Sequence, residues 1–166
     1  MATITLGGNK IQTVGELPSV GERVTGLKLT STDLEEVTLD HFNEDFIILN
    51  IFPSVDTGVC ATSVRNFNER AEGLGKVKVL CVSADLPFAH KRFCENEGLK
   101  NVVGLSSFRN DFGKTFGVEI LDGAMQGLCS RAVLVLDKDR KVIHAQQVPE
   151  IADEPDYDSV LAAIEQ

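Results

Sequence analysis

The sequence predicts an α/β fold, and three observations predict it. Two runs, Phe46–Phe52 and Val77–Ser83, are almost continuously apolar and rich in β-branched residues, the pattern of strands covered on both faces. After Cys60 the period changes: Val64, Phe67, Ala71 and Leu74 recur at helical spacing with polar residues between them. Further along, apolar strands keep alternating with helical segments, as in β-α-β units.

The 166 residues suit one domain, spanning 1–166. Taken in order, residues 3–6 and 9–13 read as strands of a hairpin turned at Gly7-Gly8. Residues 17–21 are loop, and residues 27–30 and 36–39 are short alternating strands around Ser31-Thr32-Asp33. A polar connection from His41 to Asp45 leads into the Phe46–Phe52 strand, which Pro53 ends because proline cannot donate to a central ladder. The helix that follows stops at Gly73 and Gly75. After the strand at 77–83, Asp85-Leu86-Pro87 opens a second helix, with Pro87 near its first position, running through Phe93 and Cys94 to Gly98. Residues 102–105 are a short strand, 111–116 a short helix, and 117–127 a glycine-punctuated loop. Residues 132–136 and 141–145 form a second hairpin, and Pro155 opens a last helix with Val160, Leu161 and Ile164 on its apolar face. This order, β-α-β-α-β and then a hairpin and a helix, is that of a thioredoxin-like domain with an added N-terminal β-hairpin.

Composition narrows the function. A net charge of -9 disfavours nucleic acid and anionic membranes as partners. No apolar segment is long enough to span a bilayer, and the N-terminus has no basic, signal-like start, so a cytoplasmic location is expected. There the four cysteines stay reduced at rest. With no Cys-x-x-Cys and no His/Cys cluster at zinc spacing, cysteine chemistry must use thiols distant in sequence, and no metal or other cofactor is expected. His41, His90 and His144 stand in no constellation and read as surface or partly packed.

Cys60 sits where a buried strand turns into a helix. Asp56 and Thr57 both suit an N-cap. With Thr57 as cap, Cys60 is the third helical residue, where free N–H groups and the helix dipole favour a thiolate. From pattern alone two readings stand: a reactive thiol, or a small apolar residue filling a helix start.

Pro53-x-x-x-Thr57-x-x-Cys60 matches the peroxiredoxin signature, and the fuller run through Arg65 is similar to the thiol peroxidase branch. Phe108-Arg109-Asn110, Arg131-Ala132-Val133 and Glu154-Pro155-Asp156-Tyr157 extend the resemblance over nearly the whole chain. It implies a peroxiredoxin-type thioredoxin fold and a thiol-dependent peroxidase of the atypical two-cysteine kind, acting on hydrogen peroxide and organic hydroperoxides. Cys60 would be the peroxidatic cysteine, oxidised to a sulfenic acid. Thr57 would orient thiolate and peroxide, Pro53 would shield the thiolate from water, and Arg131 would stabilise charge at the site. Cys94 would resolve the sulfenic acid as an intrachain disulfide with Cys60, recycled by thioredoxin. A homodimer is also implied.

Without the resemblance, Arg131 reads as a solvated charge at a strand end and Cys94 as a packed helix residue. Cys81, inside an apolar strand, reads as core. Cys129 departs from the family pattern; two residues before Arg131, it could lie near the pocket or only pack, which leaves Cys94 contestable as the resolving thiol. The rivals are a thioredoxin-type disulfide oxidoreductase, which the missing Cys-x-x-Cys opposes, and a non-enzymatic thioredoxin-like binding module or chaperone, which would tolerate loss of Cys60.

Overall fold

In the computed structural model, which describes residues 1–165, a seven-stranded sheet lies between helices, with a separate two-stranded hairpin at its side. The hairpin is β1 (Thr3–Leu6) with β2 (Asn9–Gln12). Then come β3 (Leu29–Thr30), β4 (Glu36–Val37), β5 (Phe46–Ile51), α1 (Gly58–Ala71), β6 (Val77–Ser83) and α2 (Pro87–Glu97). The chain closes with β7 (Val102–Ser106), α3 (Phe112–Thr115), β8 (Ala132–Leu136), β9 (Val142–Gln147) and α4 (Tyr157–Ile164). The sheet order is β4-β3-β7-β6-β5-β8-β9. The β5, β6 and β7 strands run parallel, and β8 pairs antiparallel with β5. This is the thioredoxin-like fold with its added hairpin.

Both faces of the central strands are covered, which is why their sequences are apolar without alternation. Ile47, Leu49 and Ile51 of β5 face a core shared with Leu29, Phe112 and Phe116. Ile48 and Phe52 point the other way, into a core made with Val64 and Phe67 of α1 and Tyr157 and Val160 of α4. The Phe67 and Tyr157 rings meet edge to face at 5.1 Å. Pro87 occupies the first turn of α2, and Gly98 ends it in the left-handed region, where its N–H and that of Leu99 reach the carbonyls of Glu95 and Cys94.

The hairpin is braced against the loop after β9. The Glu150 carboxylate accepts from the Gly8 N–H at 2.8 Å and the Thr5 hydroxyl at 3.0 Å, and Ile4 and Ile11 pack on Ile120 and Ile151. No helix among the described residues is long and apolar enough to cross a membrane.

Most boundaries differ from the sequence reading by a residue or two, and three of the differences stand out. Leu39 does not end a strand but opens a 3-10 turn, Leu39–His41, that buries it in the core, with the Thr38 N–H bonded to His41 Nδ1 at 3.0 Å. The α4 helix begins at Tyr157 rather than Pro155, because Asp156 caps it by accepting the Ser159 N–H at 3.1 Å. The last strand starts one residue later than expected and runs on to Gln147.

Candidate active site

The β5 strand delivers the chain to Pro53 at the edge of a cavity of about 180 Å³. Thr57, Gly58 and Val59, the three residues before Cys60, line it, and Leu6, Met125, Ile151 and Arg131 complete the wall. Its lining is chiefly apolar, with Thr57 and Arg131 as the polar groups.

Thr57 occupies the N-cap of α1 in extended conformation, so Cys60 is the third helical residue, as the sequence suggests. Its hydroxyl does not cap the helix, however. It donates to the Ser54 carbonyl at 3.1 Å, so Thr57 holds the cap position without a side-chain bond to the helix. Asp56, the other cap candidate, lies outside the helix and pairs with Arg92 of α2 at 3.1 Å. The Cys60 side chain is fully buried, behind no direct opening to solvent.

Arg131 is not a solvated strand-end charge. It is 1% exposed. Its Nε donates to the Ile151 carbonyl at 2.7 Å and its Nη2 to Cys60 Sγ at 3.3 Å. Its Nη1 is buried with no hydrogen-bond partner among the described residues, and no carboxylate among them forms an ion pair with it. Burying a guanidinium without a counter-anion is costly. Of its two hydrogen-bond partners among the described residues, the Ile151 carbonyl and the Cys60 sulfur, the sulfur is the one that can carry negative charge.

The other three thiols differ in setting. All four cysteines are free. Cys94, on the last turns of α2, is half-buried and lines a separate hollow of about 460 Å³ with Ser31, Asp33 and Val103; burial, with Glu95 beside it, pushes its thiol up from the ordinary value. Cys94 packs against the same apolar cluster as Cys60, but the hollow it lines shares no residue with the cavity beside Cys60. Cys81 sits in the core, where burial pushes its thiol up. Cys129 is buried as well, its thiol pushed up to about 12 by burial, and lies by Ser107 in a hollow that Arg131 does not line.

His90 corrects the reading of an unremarkable histidine. It is 1% exposed, and its Nε2 lies 2.9 Å from the Ser83 hydroxyl. The signal available in sequence was weak: a serine at a strand end, an aspartate two residues on, and a histidine one turn into the next helix. The apolar wall of the cavity was also missed, since Leu6, Met125 and Ile151 come from three separate segments.

The chain matches the Redoxin family model over residues 8–161. It is 55% identical over 164 residues to a thiol peroxidase of Mycobacterium tuberculosis, and 49% identical to one of Corynebacterium glutamicum, each match covering 99% of both chains. Among solved structures, a peroxiredoxin-like protein from Aquifex aeolicus is similar at a TM-score of 0.93 and 39% identity, covering 99% of this chain and 96% of that one. A thiol peroxidase from Chromobacterium violaceum shares the fold at a TM-score of 0.91 and 21% identity, with the same coverage.

Proposed function

Because the chain belongs to the Redoxin family, in its thiol peroxidase branch, it is a thiol-dependent peroxidase, and we propose that Cys60 is the attacking sulfur and Arg131 its electrostatic partner. One observation supports this most: the buried guanidinium has one nitrogen 3.3 Å from Cys60 Sγ and another without a partner. The first holds the thiolate. The second is free to donate to a peroxide oxygen.

The Cys60 thiolate attacks one peroxide oxygen. The O–O bond breaks, two electrons pass from sulfur to oxygen, and the leaving alkoxide or hydroxide takes a proton to become alcohol or water. Sulfur keeps the other oxygen as a sulfenic acid. Pro53 and the apolar wall keep bulk water from the thiolate, and Thr57, its hydroxyl proton committed to Ser54, turns its lone pairs to the substrate. The apolar lining by Leu6, Val59, Met125 and Ile151 suits organic hydroperoxides as well as hydrogen peroxide.

Cys94 then condenses with the sulfenic acid, forming the Cys60–Cys94 disulfide and releasing water, and thioredoxin reduces that bond by thiol exchange. Cys94 is favoured over Cys129 because it is half-exposed, whereas Cys129 is buried and away from the cavity. Cys60 is fully buried in the first turn of α1 and Cys94 lines a separate hollow near the end of α2, so the last turn of α2 loosens for the sulfurs to meet. The enzyme works as a cytoplasmic homodimer. Exposed Leu86, Phe88 and Phe108 offer apolar surface for a subunit contact, and four free thiols suit a reducing compartment.

Stopped-flow oxidation by hydrogen peroxide tests the assignment. Wild type should consume one equivalent rapidly and Cys60→Ser none; consumption by Cys60→Ser at the wild-type rate would reject Cys60 as the nucleophile.

A further inference from the structure

Asp85 lies in the turn between β6 and α2, away from the cavity, and its carboxylate is fully engaged. Oδ1 accepts the Ser54 hydroxyl at 2.7 Å. Oδ2 accepts the Val55 N–H at 2.9 Å and the Ser83 hydroxyl. None of these donors is charged, and no Lys or Arg among the described residues pairs with it. A half-buried carboxylate held by neutral donors is there for its acceptor geometry.

The acid is fixed from behind. Its own N–H donates to Ser83 Oγ at 3.2 Å, and Ser106 donates to its carbonyl. Ser83 has one hydroxyl proton, which goes to Asp85. The short contact from His90 to Ser83 therefore needs the proton on Nε2, so His90 donates and Ser83 accepts. His90 is seated over Gly104, where an added Cβ would come within 2.9 Å of the His90 Cβ.

Forward of Asp85, the bonds lead to the site. Ser54 Oγ donates to Asp85 and accepts the Asp56 N–H at 3.1 Å. The Ser54 carbonyl takes both the Thr57 hydroxyl, at 3.1 Å, and the Thr57 N–H, at 3.2 Å. A line of hydrogen bonds, buried at His90 and Ser83 and half-buried beyond them, thus runs His90, Ser83, Asp85, Ser54, Thr57.

We propose that Asp85 is a positioning residue for peroxide attack: it holds Ser54 and Val55 so that Thr57 faces the cavity, with Ser83 and His90 fixing the acid in turn. This rests on the reading of Cys60 and Thr57 given above. It makes a distinct claim, because Asp85 acts on the seat of the peroxide and not on the sulfur, whose contact with Arg131 is independent of it.

The test compares two reactions of Cys60 in the full chain. One is oxidation by hydrogen peroxide, measured in competition with a second peroxidase. The other is alkylation by iodoacetamide, measured by mass spectrometry of the Cys60 peptide, which needs the sulfur but not the peroxide seat. Asp85→Asn turns one acceptor oxygen into a donor. It should slow peroxide oxidation about 10- to 100-fold, the scale of a 1 Å misplacement near reacting atoms, and leave alkylation unchanged. Ser54→Ala keeps the acid and removes one link, so it should shift the same ratio by less; it decides the matter if Asp85→Asn does not fold. Equal losses in both reactions, or a loss in neither, would overturn the proposal. Failure of the underlying reading looks different: Cys60→Ser would still consume peroxide.

Discussion

If Arg131 and Cys60 form a charged pair, their contributions to stability must be coupled. The perturbation is a double-mutant cycle with Cys60→Ala, Arg131→Met and both together. Two unit charges 3.3 Å apart at an effective dielectric of about 20 attract by roughly 5 kcal/mol before any desolvation is charged against them. Net values for hydrogen bonds to charged groups are about 1.5–3 kcal/mol, and that smaller figure governs, because both groups are fully buried and lose their water. Cys60→Ala should destabilise, since it leaves the cation with the Ile151 carbonyl as its one remaining acceptor. Arg131→Met should restore much of that loss when added to Cys60→Ala. Urea unfolding of the reduced proteins at one fixed concentration gives the four free energies. A coupling of about 1.5–3 kcal/mol is expected. Additivity within about 0.5 kcal/mol would refute the pairing, and with it the account of why an arginine is buried there.

Cys94→Ser should still reduce one equivalent of peroxide but fail to turn over with thioredoxin, whereas Cys81→Ser should cycle at close to the wild-type rate; wild-type turnover by Cys94→Ser would redirect attention to Cys129. Hydrogen bonds from the Ala152 and Gly8 N–H groups hold the Glu150 carboxyl down at about 2, so its bracing of the hairpin is present above the ordinary carboxyl value of 4.5 and is lost as pH falls from there toward about 2. Glu150→Gln at neutral pH should speed hydrogen exchange at the Gly8 amide and loosen the Leu6 side of the cavity, and unchanged exchange would show that the hairpin needs no such brace.

The local part of the site is legible in sequence because it is made by neighbours in the chain. The apolar run into Pro53, the change of period after Cys60 and the placement of Cys60 in the first helical turn follow from strand and helix patterning. Arg131 joins Cys60 across 71 positions, and nothing in its local sequence distinguishes a buried guanidinium from a solvated one; the family resemblance supplied it. His90 and Asp85 were illegible for a similar reason, since β6 and the loop after β5 meet only once the parallel sheet has formed. Thr57 is the N-cap, one of the two candidates read from the sequence, but where its hydroxyl goes was not legible: Ser54, three residues back, offers a competing carbonyl, and local side-chain bonding of this kind is a choice among near-equal partners.

A cation fixed beside Cys60 also sets the driving force for the return half of the cycle. Reducing a disulfide regenerates a thiolate, and whatever steadies that thiolate raises the potential of the couple. Taking about 1.5–3 kcal/mol for the Arg131 contact, the shift is about 30–65 mV toward a more oxidising disulfide. On the proposed cycle, the guanidinium beside Cys60 would therefore also make the oxidised enzyme easier for a dithiol to reduce. Equilibrating the Arg131→Met disulfide with a thioredoxin redox buffer would measure the effect, and a potential equal to wild type would mean that the charge serves attack alone. On the proposed cycle, oxidation removes the charge that Arg131 would meet at Cys60 and reduction restores it.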